Sequence, residues 1–137
     1  MVTINPYLTF NGNCREAMTF YHSCLGGDLF LQSVEESPMA KEWPASTQKN
    51  ILHSSITNGS VLLLASDMGA GGVPDKGNII CIAVSFTDEQ QLKTTFSGLS
   101  EGGKITRPLH SFFGGTIGTL TDRFGIDWIF YYKQEIQ

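Results

Sequence analysis

The sequence predicts an α+β fold made of two tandem βαβββ modules. Three observations predict it. A short β-prone run leads into a helical pattern twice, over Tyr7–Leu25 and again over Ile79–Leu99. Each helix stops on a glycine pair, Gly26-Gly27 and Gly102-Gly103. The two stretches align without a gap at an offset of 76 residues, which places Phe10 on Phe86, Thr19 on Thr95 and Phe20 on Phe96. Register kept through strand, helix and stop signal marks an internal duplication.

The first module opens with Tyr7-Leu8-Thr9-Phe10, a short strand ended by Asn11-Gly12-Asn13, with Asn13 as a suitable N-cap. Ala17, Phe20, Tyr21, Cys24 and Leu25 then recur every three or four residues, which predicts a helix over 14–25 with one buried face. Gly26-Gly27 ends it, because glycine takes the left-handed conformation without a Cβ clash. Leu29–Val34 reads as a strand, and Glu35–Lys49 as a polar, Pro-containing loop. Ile51–Ile56 and Val61–Ala65 flank Thr57-Asn58-Gly59-Ser60, and Asn-Gly between apolar runs is a strong hairpin signal.

Met68–Gly77 is glycine-rich and reads as the linker between module one (about 4–67) and module two (about 78–133). In module two, Ile79–Phe86 is β-branched and apolar. Thr87-Asp88-Glu89-Gln90 reads as a capping box with Thr87 at the N-cap, and Leu92, Phe96 and Leu99 give a helical stripe over 88–100. Lys104–Thr106 is a strand signal, followed by a loop with Pro108, His110 and the run Phe112-Phe113-Gly114-Gly115. Thr116–Thr121 and Ile126–Tyr132 then flank the turn Asp122-Arg123-Phe124-Gly125.

At 137 residues the chain is about one domain long. Its net charge of −4, from nine basic and thirteen acidic residues without a basic stripe, argues against nucleic acid or an anionic membrane as the main partner. No run approaches the roughly 18 apolar residues of a membrane span, and the first residues lack a signal-peptide pattern. The cysteines are three, Cys14, Cys24 and Cys81, with no CxxC. Cys14 and Cys24 stand ten positions apart on one helix, too far to bridge, which points to reduced thiols in a cytoplasmic protein.

Several blocks carry a family resemblance. They are Pro6-Tyr7-Leu8-Thr9-Phe10-Asn11-Gly12, Glu16-Ala17, Phe20-Tyr21, His53-Ser54-Ser55-Ile56, Leu64-Ala65-Ser66-Asp67, Glu101-Gly102-Gly103-Lys104, Phe112-Phe113-Gly114 and Leu120-Thr121-Asp122-Arg123-Phe124-Gly125-Ile126-Asp127-Trp128. In this order they resemble the PhnB-like branch of the vicinal oxygen chelate (glyoxalase) superfamily. The resemblance implies curled mixed sheets around a cavity, with a divalent metal in the metal-dependent branches. The older label of this branch, a demethylubiquinone methyltransferase, finds no glycine-rich SAM-binding loop after a strand here.

The metal positions of the superfamily fall on Asn5 (or Pro6), Leu63, Cys81 (or Ile82) and Ile129. None is His or Glu, so no metal cofactor is expected. Of the three histidines, His22 reads as a surface residue. His53, on a strand, is the best acid–base candidate because imidazole titrates near neutral pH. Tyr7, His53, His110, Phe113 and Trp128 are the candidate ligand-binding residues, with Trp128 facing either the cavity or the core according to strand parity.

The favoured reading is a metal-free protein that binds a small apolar or aromatic compound. The alternative is a metal-dependent lyase, isomerase or dioxygenase. The resemblance further implies a homodimer, and Trp128-Ile129-Phe130-Tyr131-Tyr132, apolar on both parities, fits a strand that needs cover on both sides.

Overall fold

The computed structural model describes residues 2–68 and 74–133, and divides after Asp75 into two compact units. The expected linker Met68–Gly77 therefore lies partly outside the described residues.

Unit one runs β1 (Tyr7–Thr9), α1 (Cys14–Leu25), β2 (Asp28–Ser33), β3 (Ile51–Asn58) and β4 (Val61–Ser66), with two short 3-10 turns before β3. Its sheet has the order β1-β4-β3-β2. The β1–β4 pair is parallel and the others antiparallel. Helix α1 buries Cys14, Ala17, Met18 and Tyr21, and the Cys14 thiol lies 3.5 Å from Ser54 Oγ, so Ser54 faces the helix. Strand alternation then puts Ile56 with it, and the pairing adds Leu63 and Ala65. Ile56, Leu63 and Ala65 are all buried, and each large side chain of this layer contributes roughly 1.5–3 kcal/mol by leaving water.

Asn13 stands at the N-cap, but its side chain makes no capping bond. A carboxylate from the end of β4 does that work. Asp67 Oδ1 accepts from the backbone N–H of Gly12 (2.8 Å) and Cys14 (3.0 Å), and Oδ2 accepts from Ile51 N–H (2.8 Å). One side chain thus ties helix start, β3 and β4 together.

Unit two runs β5 (Ile82–Phe86), α2 (Glu89–Ser100), β6 (Lys104–Phe112), β7 (Gly115–Thr121) and β8 (Asp127–Lys133), in the order β5-β8-β7-β6. The β5–β8 pair is parallel, as β1–β4 is. Ile79 and Ile80 fall outside β5 and are exposed. The helix cap is Asp88, not Thr87; its carboxylate accepts from Gln90 N–H at 2.9 Å. Phe96 meets Phe130 edge-on, with centroids 5.3 Å apart, and Phe86 stacks on Phe130 at 5.8 Å. Gly118, opposite Phe130, leaves room that Leu109 and Phe96 fill; a Cβ there would stand 2.8 Å from Leu109 Cδ2 and 3.1 Å from the Phe96 ring.

The expected loop after Thr106 is instead strand. β6 continues to Phe112, with register shifts between Ile105 and Arg107 and between Arg107 and His110. Pro108 lacks an N–H and is tolerated because β6 is an edge strand.

The duplication is visible in the pairing. Tyr7 pairs with Leu64 and Ala83 with Ile129, which keeps the 76-residue offset in the first strands. The glycine pairs keep it too. A Cβ on Gly27 would strike the Thr57 carbonyl oxygen, and one on Gly103 the Thr121 carbonyl oxygen, the same close approach in both units. The helices themselves sit 75 residues apart, Cys14–Leu25 against Glu89–Ser100, so the gapless register does not hold through them.

Candidate functional site

Each sheet has one face under its helix and one face without a helix. In unit one, a row crosses all four strands on the helix-free face, Phe30–Ser55–Leu64–Tyr7. These residues alternate with the helix-facing Ser54, Leu63 and Ala65. Tyr7 is 53% exposed and Phe30 51% exposed. His53 lies two positions from Ser55 on the same face, its ring 6.2 Å from that of Phe30, and Gln32 pairs opposite it. Among the described residues no hydrogen bond reaches a ring nitrogen of His53. The neutral ring carries one donor and one acceptor nitrogen.

The helix-free face of unit two carries the row His110–Ile117–Tyr131–Ser85, two residues along from the rung Thr119–Ile129–Ala83 that matches Ser55–Leu64–Tyr7. His110 Nδ1 lies 2.8 Å from the Pro108 carbonyl oxygen. A carbonyl only accepts, so Nδ1 carries the proton and Nε2 is left as the acceptor of the neutral ring. Next to this row, Thr119 and Thr106 share a hydroxyl–hydroxyl bond of 2.7 Å. At the end of the strand pair, Thr121 Oγ1 donates to Asp127 Oδ1 at 2.6 Å, and Lys76 Nζ lies 3.2 Å from Asp127 Oδ2. The Thr121 hydroxyl, and after it Lys76, hold the Asp127 carboxyl below its ordinary value.

The expected ligand-binding residues are therefore distributed unevenly. Tyr7 and His53 share one face of the first sheet, and His110 lies on the helix-free face of the second. Trp128 lies on the other side, under α2 with Phe130; it is buried, and its indole N–H donates to Asp122 Oδ2 at 2.8 Å. Phe113 is on neither face. It occupies the two-residue turn between β6 and β7 and is 87% exposed.

Phe30 and Tyr131 were missed from sequence. Their signal was present in the alternation: Phe30 and Gln32 have the parity opposite to Leu29 and Leu31, and Tyr131 the parity opposite to Trp128 and Phe130.

The donor set does not suit the metal of the superfamily. Asn5 bonds to Thr3, Cys81 is an exposed thiol just before β5, and Ile129 offers no donor. Leu63 is buried on the helix side, and strand pairing makes Leu64, not Leu63, the counterpart of Ile129. Among the described residues no three His, Cys, Asp or Glu side chains converge. No described helix is long and apolar enough to cross a membrane.

The comparisons with known proteins agree with this architecture. The family model for the Glyoxalase/Bleomycin resistance protein/Dioxygenase superfamily matches residues 3–130. Protein YjdN of Escherichia coli is 27% identical, with 92% of each chain covered. The crystal structure of protein PA1353 from Pseudomonas aeruginosa is 34% identical and superposes with a TM-score of 0.85, covering 98% of this chain and all of that one. A putative 3-demethylubiquinone-9 3-methyltransferase, PhnB protein, from Bacillus cereus shares the fold at 24% identity and a TM-score of 0.74, over 96% of this chain and 99% of that one.

Proposed function

The chain belongs to the glyoxalase/bleomycin resistance protein/dioxygenase superfamily, and we propose that within it this protein is a metal-free binder of a small apolar or aromatic compound. The observation that carries this reading is the row Phe30–Ser55–Leu64–Tyr7, where two half-exposed aromatic rings and a leucine flank a hydroxyl, with His53 beside them. Small-molecule sites combine mostly apolar walls with a few placed polar groups, and this face has that composition. Tyr7 and Phe30 offer ring surface to a planar ligand. His53 and Ser55 offer directed hydrogen bonds, and His53 would be the proton carrier if a reaction occurs.

The metal-dependent alternative asks for three or four converging oxygen or nitrogen donors. The residues at the superfamily's positions supply none beyond the Asn5 amide and the Cys81 thiol, so the binding reading is preferred. The protein is further proposed to act in the cytoplasm as a homodimer. The long edge strand β6 and the aromatic side chains on the helix-free faces are surfaces that a second copy or a ligand would cover.

The test is a screen of neutral aromatic and apolar compounds by isothermal titration calorimetry, with chelator-free protein and its metal content measured by mass spectrometry. Tyr7→Ala and Phe30→Ala should each weaken a hit by about tenfold, near the 1.4 kcal/mol that a lost ring contact commonly removes. Hits that bind both variants as well as the parent, or stoichiometric zinc, nickel, manganese or iron in the purified protein, would refute it.

A further inference from the structure

We propose a second binding site in unit two, for a small organic ammonium ion carrying an aromatic or apolar group. It is a cleft of about 340 Å3 between the start of α2 and the β6–β7 turn, lined by Glu89, Ser111, Phe112, Phe113, Thr116 and Tyr132 with the turn glycines. That volume lies in the range of small-ligand sites.

The charge of the cleft selects the sign of its ligand. Glu89 is the single acidic or basic side chain among the lining residues. At the start of α2 the Asp88 carboxylate accepts from Gln90 N–H, so a second carboxylate precedes Glu89 and takes up one of the helix's free amides. Thr116 Oγ1 donates to Glu89 Oε2 at 3.4 Å, and Lys93 Nζ stands 3.3 Å from Oε1. Both are long contacts, and the lysine pair is an exposed i,i+4 pair of the kind that contributes little, so an incoming ammonium displaces Lys93 readily. Ser111, Thr116 and Tyr132 supply further oxygen acceptors. An anion would meet Glu89 with no lysine or arginine among the lining residues to compensate.

Phe113 selects the rest of the ligand. It is the non-glycine residue with positive φ (+45°) among those described, in a turn whose next residue, Gly114, has φ +79°. A two-residue hairpin turn with two positive φ values favours Asn-Gly, and a phenylalanine there is strained. Packing does not explain the choice, because Phe113 is 87% exposed and the ring beside it is that of Phe112, edge-on at 4.7 Å. An aromatic side chain held in a disfavoured conformation at the mouth of an anionic cleft fits a cation–π and stacking partner.

The probe is benzylammonium, with benzyl alcohol as its neutral isostere, titrated into the full chain at pH 7 and followed by amide NMR shifts. The expected result is saturable shifts at Glu89, Ser111–Thr116 and Tyr132, with benzyl alcohol at least about tenfold weaker. Glu89→Gln should remove that difference. Phe113→Asn, which suits the turn and preserves folding, should weaken benzylammonium by about tenfold. Equal affinity for the two probes, shifts elsewhere, or unchanged binding in Glu89→Gln would each overturn the proposal. The site shares no residue with the helix-free row of unit one, so its failure leaves the reading under Proposed function standing, and the reverse.

Discussion

Replacing Asp67 by alanine removes three backbone acceptor contacts at once. Gly12, Cys14 and Ile51 would lose their partner for N–H, at 2.8, 3.0 and 2.8 Å respectively. A hydrogen bond to a charged group contributes about 1.5–3 kcal/mol net. The Gly12 contact is exposed and the other two are part-buried, so water replaces some of what is lost. The expected loss is about 2–4 kcal/mol in total. For a chain of this length that corresponds to a fall of roughly 6–12 °C in Tm, at about 3 °C per kcal/mol. Asp67→Asn discriminates the parts. Its remaining oxygen can still serve Gly12 and Cys14, but its amide N–H2 would face the Ile51 N–H, donor against donor, and about half the loss should remain. Urea and thermal melts followed by circular dichroism measure both variants, and hydrogen exchange should show the first turn of α1 opening sooner. A loss under about 1 kcal/mol for Asp67→Ala would refute the assignment of Asp67 as the tie between α1, β3 and β4.

Two titration predictions follow from the same accounting of partners. Burial pushes the Cys14 thiol up to about 11 from 9.0, against the opposing hydrogen bond from Ser54. The folded state therefore keeps a proton that the unfolded chain releases, so this contribution is intact below about pH 9 and is lost as pH rises towards 11. In a thiol-reagent time course near pH 8, exposed Cys81 should react first and buried Cys14 only on unfolding; early labelling of Cys14 would contradict its place under the sheet. Asp127 is held low chiefly by the Thr121 hydroxyl and then by Lys76. Its contribution is present above the ordinary carboxylate range and fades as pH falls through its folded value. By carbon-detected NMR titration, Thr121→Val should raise the Asp127 pKa more than Lys76→Ala does, and the opposite order would show the salt bridge to be the larger effect.

The fold was legible because each module advertises it locally. The glycine pairs are the clearest case, since the collision of a Cβ with the Thr57 or Thr121 carbonyl makes glycine obligatory at Gly27 and Gly103. What the pattern could not supply was any partner distant in sequence. Asn13 and Thr87 have the right chemistry for caps, but the acceptor at the first helix comes from Asp67, more than fifty residues away, and the second cap is the neighbouring Asp88. Pro108 and the glycines after Phe113 give the end of β6 the composition of a loop, while an edge strand needs only one of its two rows of backbone groups paired. Its two register shifts leave no clean alternation to detect.

The site was legible only as far as side-chain parity was. Tyr7 and His53 were identified individually, and only the pairing of Tyr7 with Leu64 and of Ser55 with Phe30 shows that they share a face. Trp128 illustrates the limit from the other side. Its strand is apolar on both parities, so hydrophobicity cannot tell the helix-covered row from the open one. The decision is made by Asp122, whose carboxylate also accepts from Phe124 and Ile126 N–H and is itself buried in the turn. An indole N–H aimed at that carboxylate must lie beneath the sheet, which hands the open face to Ile129 and Tyr131. The same parity puts Ile129 on the helix-free face, where its hydrocarbon side chain offers no donor to a metal.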